Sequence, residues 1–116
     1  MRTQEEIIKD IKKLEEELDS LVAQDVVVVR SSPSGCWMGK LEYKRGNEVK
    51  LSNARRLWFW GGAASLSQLA IDGVSKPKEC KFPEAVPEVI VLEVCEILVA
   101  SSRAIKSINE VLPWRQ

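Results

Sequence analysis

Trp37-Met38-Gly39-Lys40-Leu41-Glu42-Tyr43-Lys44-Arg45-Gly46-Asn47-Glu48-Val49-Lys50-Leu51 reads as two alternating runs joined by a short turn. Residues 37–44 alternate well enough for a strand, with Trp37, Leu41 and Tyr43 on one face. Arg45-Gly46-Asn47 supplies a tight hairpin turn, and Val49 and Leu51 carry the alternation back. An antiparallel hairpin thus sits near the centre of the chain.

Before the hairpin, Val26-Val27-Val28-Val29 reads as a buried strand from its β-branched run, ended by Ser31-Ser32-Pro33-Ser34-Gly35. On the other side, Arg55 to Trp60 reads as a further strand. Arg55, Leu57 and Phe59 point one way, and Arg56, Trp58 and Trp60 the other. Gly61-Gly62 stops it, and residues 63–71 form a short helix ended by Asp72-Gly73. Val74 to Glu88 is a long loop holding Pro77, Pro83, Pro87 and Phe82, a length that suits a lid or binding loop. Val89 to Val99 is the last strand, and Ser101 or Ser102 caps a short helix through Ile105 and Ile108.

At the other end, Thr3 and Glu6 fit a capping box for a helix over residues 3–23. Ile7, Ile11, Leu14, Leu18 and Leu21 form a narrow seam of the coiled-coil kind. That seam suits a contact between protomers, with packing on the body of the same chain as the alternative. The expected class is α+β: a small antiparallel sheet with a long N-terminal helix and two short helices, oligomeric. Residues 1–116 form one domain, with 1–24 as an oligomerising helix and 25–116 as a β-rich ligand-binding body.

Composition narrows the chemistry. No histidine is present, which removes the commonest general base and zinc ligand. Cys36, Cys80 and Cys95 are an odd count without a close pair, against a disulfide framework or a structural zinc site. A binding protein without metal or cofactor is therefore expected rather than an enzyme. No apolar run is long enough to span a bilayer. The net charge is zero, but residues 1–25 carry −4 and residues 26–66 carry +5. An anionic ligand would be drawn to the middle segment, unless its bases are an ordinary solvated strand face.

The densest constellation is Asn53-Ala54-Arg55-Arg56-Leu57-Trp58-Phe59-Trp60-Gly61-Gly62-Ala63-Ala64-Ser65-Leu66-Ser67-Gln68. Arginine forks match phosphate oxygens, indole faces stack on bases, and Ser65 and Gln68 could hydrogen-bond a nucleotide. The plainer alternative is that the tryptophans fill the core and Gly-Gly only turns the chain. A second candidate is the long loop with the C-terminal tail, where Phe82 follows several lysines and Asn109, Trp114 and Arg115 lie close to the end. Such segments could close over a small anion, or Phe82 and Trp114 could simply anchor them. Trp37, after its turn, is similarly open.

Ala54 to Trp60, Gly62 to Ala70 and Cys80-Lys81-Phe82 together resemble the phage-encoded Thoeris anti-defense proteins of the first type. The resemblance runs from the N-terminal helix to Ser107-Ile108-Asn109-Glu110-Val111. It implies a non-catalytic sponge in the cytoplasm of the infected bacterial host. Such proteins trap cyclic ADP-ribose isomers from TIR-domain enzymes, and some also trap cyclic oligonucleotides at a second site, as hexamers built from dimers. On that likeness Phe82 and the tail would cover the cyclic ADP-ribose pocket. Arg55 to Gln68 would line the second site, with Ser65 and Gln68 as contacts. The full candidate set is Phe82, Arg55, Arg56, Ser65, Gln68, Trp37, Asn109, Trp114 and Arg115. The competing readings are a small phage nucleic-acid-binding or structural interaction protein, and an enzyme cleaving a cyclic nucleotide. Against the enzyme, Glu93 and Glu96 would face opposite sides of a strand.

Overall fold

The valine run forms an interior strand of a sheet and pairs on both sides, which is why it reads as continuously apolar. A computed structural model describes residues 3, 4, 6–8 and 26–115. In chain order these give β1 (Val26–Ser31), β2 (Gly35–Arg45), β3 (Glu48–Leu57), α1 (Leu66–Asp72), a 3-10 turn (Pro77–Glu79), β4 (Val86–Val91), β5 (Val94–Val99) and α2 (Ser102–Asn109). All pairings are antiparallel, in the order β4-β3-β2-β1-β5.

The two edge strands are neighbours in sequence, so the sheet must coil. Ser31 pairs with Gly35 at one end of β2, and Val49 pairs with Lys44 near the other. In a flat sheet the length of β2 would hold those partners about 30 Å apart. Yet Val94 pairs with Ser31 and Val91 with Val49, and the chain from Val91 to Val94 reaches at most about 11 Å. Bulges in the β2–β3 pairing supply the bend, one at the positive-φ residue Asn53 and one beside Glu42. Gly39 sits where a Cβ would come within 3.0 Å of the Ala54 backbone, so the tight approach needs a glycine. The seam closes where Ser31 Oγ donates to the Leu92 carbonyl (2.6 Å) and the Val94 N–H donates to that of Asn47 (2.8 Å).

Coiling gives the sheet two buried faces. Val27, Val29, Trp37, Val49, Leu51, Ala54, Val91 and Val94 fill the concave side. Val28, Met38 and Leu57 face the other way and meet Leu66, Leu69, Phe82 and Ile108. The helices therefore cover the outer face, and full burial of Phe82 contributes about 2–3 kcal/mol. α1 and α2 lock together where Ser107 Oγ donates to the Val74 carbonyl (3.1 Å) and accepts from the Val74 N–H (3.0 Å).

The expected class is corrected here. The architecture is a five-stranded antiparallel sheet with short helices, and no long N-terminal helix is seen among the described residues. Gln4 and Glu6–Ile8 are helical, with Thr3 Oγ1 accepting from the Glu6 N–H at 3.2 Å. The seam residues Ile11, Leu14, Leu18 and Leu21 lie outside the described residues, as does most of the segment assigned to oligomerisation.

Two strands also differ from expectation. Arg55–Leu57 is the end of β3 rather than a strand of its own, because Asn53 is a bulge and not a turn. The expected single strand over Val89–Val99 is broken at Leu92–Glu93, where Glu93 takes φ 54°, and its first half starts earlier, at Val86. Tyr43 departs from the face of Trp37 and Leu41 because of the bulge at Glu42, and its hydroxyl donates to Glu48 instead (3.1 Å). Among the described residues, no helix is long and apolar enough to cross a membrane.

Candidate functional site

β3 stops at Leu57, which frees the next residues from strand alternation. Trp58 and Phe59 are both exposed, at 64% and 53%. Phe59 then exchanges two backbone hydrogen bonds with Lys81, at 3.3 and 2.7 Å. That bridge pulls the long loop back to the end of β3. Phe82, next along, turns into the core, so Lys81 turns outward by the strand period.

The tail arrives at the same place. The Trp114 N–H donates to the Phe82 carbonyl at 2.9 Å, and Arg115 pairs with Glu84. Trp114 is thereby half-buried, with one face toward Lys81. The Lys81 ammonium lies 5.9 Å from the Phe59 ring centre and 5.6 Å from that of Trp114. Phe59, Gly61, Lys78, Glu79, Cys80, Lys81 and Trp114 line a cleft of about 540 Å³. A second hollow of about 460 Å³ shares Lys78, Cys80 and Trp114 and reaches Glu110 and Leu112. Two ring faces and two ammonium groups, set against one carboxylate at Glu79, leave a net positive lining that suits a flat, anionic molecule.

The structure brings Trp114 and Arg115 together with the Phe82 loop, but Phe82 itself is fully buried. Arg55 is also buried, beneath that loop. Its Nε donates to the Pro83 carbonyl (2.9 Å), Nη1 to Ile108 (2.8 Å) and Nη2 to Phe82 (3.0 Å). Loss of hydration pulls its pKa below the ordinary arginine value. Arg56 points the other way, over the Trp37 ring at 4.2 Å, with Nη1 donating to the Ser34 carbonyl (2.8 Å). Trp37 is buried, and its Nε1 has no partner among the described residues.

Ser65 and Gln68 form a reciprocal cap on α1. Ser65 Oγ accepts from the Gln68 N–H (3.2 Å), and Gln68 Oε1 accepts from the Ala64 N–H (2.7 Å). Both remain exposed, and Gln68 borders a polar cleft of about 530 Å³ with Gly62, Ser75, Arg103 and Ser107. Asn109 ends α2, exposed, and lines none of the three clefts.

Phe59 and Lys81 are site residues that the candidate set omits. Phe59 was hidden because strand alternation put it on the side of Leu57. The outward turn of Lys81 was legible from its place before a lone buried aromatic.

No curated protein and no solved structure matches the chain. One family model does match, over residues 24–108, a span that holds all five strands, Phe59 and Lys81 but ends before Trp114. By that match the chain belongs to the family described as a domain of unknown function, DUF6948.

Proposed function

We propose that this protein is a phage anti-defense sponge: it binds cyclic nucleotide immune signals and holds them uncleaved in the cytoplasm of the infected bacterial host. The signals are cyclic ADP-ribose isomers made by TIR enzymes, with cyclic oligonucleotides at a second site. The observation that carries the reading is the Lys81 ammonium at 5.9 and 5.6 Å from the ring centres of Phe59 and Trp114 in a cleft of about 540 Å³. That volume is in the range of small-molecule pockets. Aromatic faces stack on a purine, and Lys78 and Lys81 answer a pyrophosphate. The polar cleft beside Gln68 and Arg103 is the candidate for the second ligand. In this reading the protein works as a homo-oligomer, and sequestration requires tight, enclosed binding rather than turnover.

The test is isothermal titration of cyclic ADP-ribose isomers and a cyclic trinucleotide, followed by denaturation and chromatography of the released ligand. Submicromolar binding with intact release supports the sponge. Absence of binding to every ligand, or release of a cleaved product, overturns it.

A second reading has one observation in its favour: Trp58 and Phe59, consecutive in the chain, are both exposed and free to stack on bases. It predicts affinity for single-stranded nucleic acid that falls steeply with salt.

A further inference from the structure

Arg55 is 6% exposed, and none of the ion pairs among the described residues includes it. A guanidinium taken into a core without a counter-charge is costly unless its N–H groups are answered. Here the answers are main-chain carbonyls from two separate parts of the chain. Phe82 and Pro83 directly follow Lys81, one of the two cations of the cleft. Ile108 lies near the end of α2, where the chain sets out toward Trp114. The Phe82 carbonyl is shared, since it also accepts from the Trp114 N–H. An apolar side chain could fill the same space without the desolvation cost. What the planar fork adds is a fixed relation among three carbonyls.

We propose that Arg55 is the positioning residue of the Phe59–Lys81–Trp114 cleft, setting the separation of its two walls from the core side. Its effect on ligand rests on the binding reading above, whereas its effect on the walls does not. Lysine is a poor replacement, because its donors share one nitrogen whereas these carbonyls are answered by three separate nitrogens of the fork.

The experiment compares full-length wild type and Arg55→Lys by amide hydrogen exchange and by cyclic ADP-ribose binding kinetics. The Trp114 amide should exchange about tenfold faster in the variant, while Val28 and Met38 amides in β1 and β2 keep their wild-type rates. Cyclic ADP-ribose should leave about tenfold faster, with an association rate changed by less than about threefold. A wild-type exchange rate at Trp114 in Arg55→Lys overturns the proposal whether or not ligand binds. If Trp114 loosens but the wild type binds no cyclic ADP-ribose, the binding reading falls and the positioning role stands.

Should Arg55→Lys fail to fold, Trp114→Pro tests the same link from the tail. It removes the N–H that shares the Phe82 carbonyl, at a position past α2. The Arg55 Nη2–H, the donor on that same carbonyl, followed by nitrogen NMR at low temperature, should then exchange at least about threefold faster than in wild type. An unchanged rate overturns the proposal.

Discussion

The Trp114 main-chain N–H donates to the Phe82 carbonyl at 2.9 Å, joining the C-terminal tail to a residue whose own side chain is fully buried. The anchor is thus internal, and the indole is left to face Lys81. Trp114→Ala keeps this backbone bond and removes the ring. Cyclic ADP-ribose affinity should fall by about 1–3 kcal/mol, the usual cost of losing one stacking partner. Thermal stability should change by less than about 1 kcal/mol, so calorimetry and a melting curve separate the two effects.

Phe82→Ala should behave in the opposite way. It opens a cavity in the helix-covered core and should cost about 3–5 kcal/mol. Against a typical total of about 5–15 kcal/mol, that loss is visible as a lower urea midpoint with an unchanged slope. Any loss of binding in this variant should track the unfolded fraction.

Ser65 serves both a cap and a candidate contact, and two substitutions divide these roles. Ser65→Ala should lose about 1 kcal/mol of stability, because the Gln68 N–H is left without its acceptor. Ser65→Asp keeps the cap, so stability should stay within about 0.5 kcal/mol of wild type. If a cyclic trinucleotide sits against Ser65, the new carboxylate should repel it and abolish binding measured by titration.

Gly73 tests the junction of the two helices. It has φ 76°, and a Cβ there would collide with Ser107. Gly73→Ala combines left-handed strain with overpacking and should cost about 2–4 kcal/mol by urea denaturation. Gly46→Ala, also at positive φ but with open space around its Cβ, should cost less.

Burial pushes the Cys36 thiol above its ordinary pKa. The unfolded chain then gives up this proton first, so the contribution to stability is fully present below the ordinary thiol range. It is lost as pH rises through the raised, folded value. Urea midpoints between about pH 8 and 10 should therefore decline less steeply in Cys36→Ala than in wild type.

Much of the sheet was legible because its signals are local. The alternation over residues 37–51 and the turn at Gly46 gave β2, β3 and their pairing, and the valine run marked the strand buried on both faces. The break at Leu92–Glu93 was not legible, since no glycine or proline marks it and apolar residues continue on either side. Ser65 and Gln68 carry the spacing of a cap, but serine and glutamine after an aromatic run fit ligand contacts equally well, and only the hydrogen bonds separate the two. Arg55 illustrates the harder limit. Its partners lie 27 to 53 residues away and are backbone atoms, which side-chain identity cannot announce.

The closure of the coiled sheet also sets an order of events at the ribosome. β1 emerges first, but its β5 partner lies near the far end of the chain, with Ser31 bonding to Leu92 across 61 residues. At about 5–20 residues per second, one edge of the Val26–Val29 strand stays uncovered for several seconds of synthesis. Such an edge is an aggregation template, so this protein's yield in a cell should depend on how fast its last third is translated.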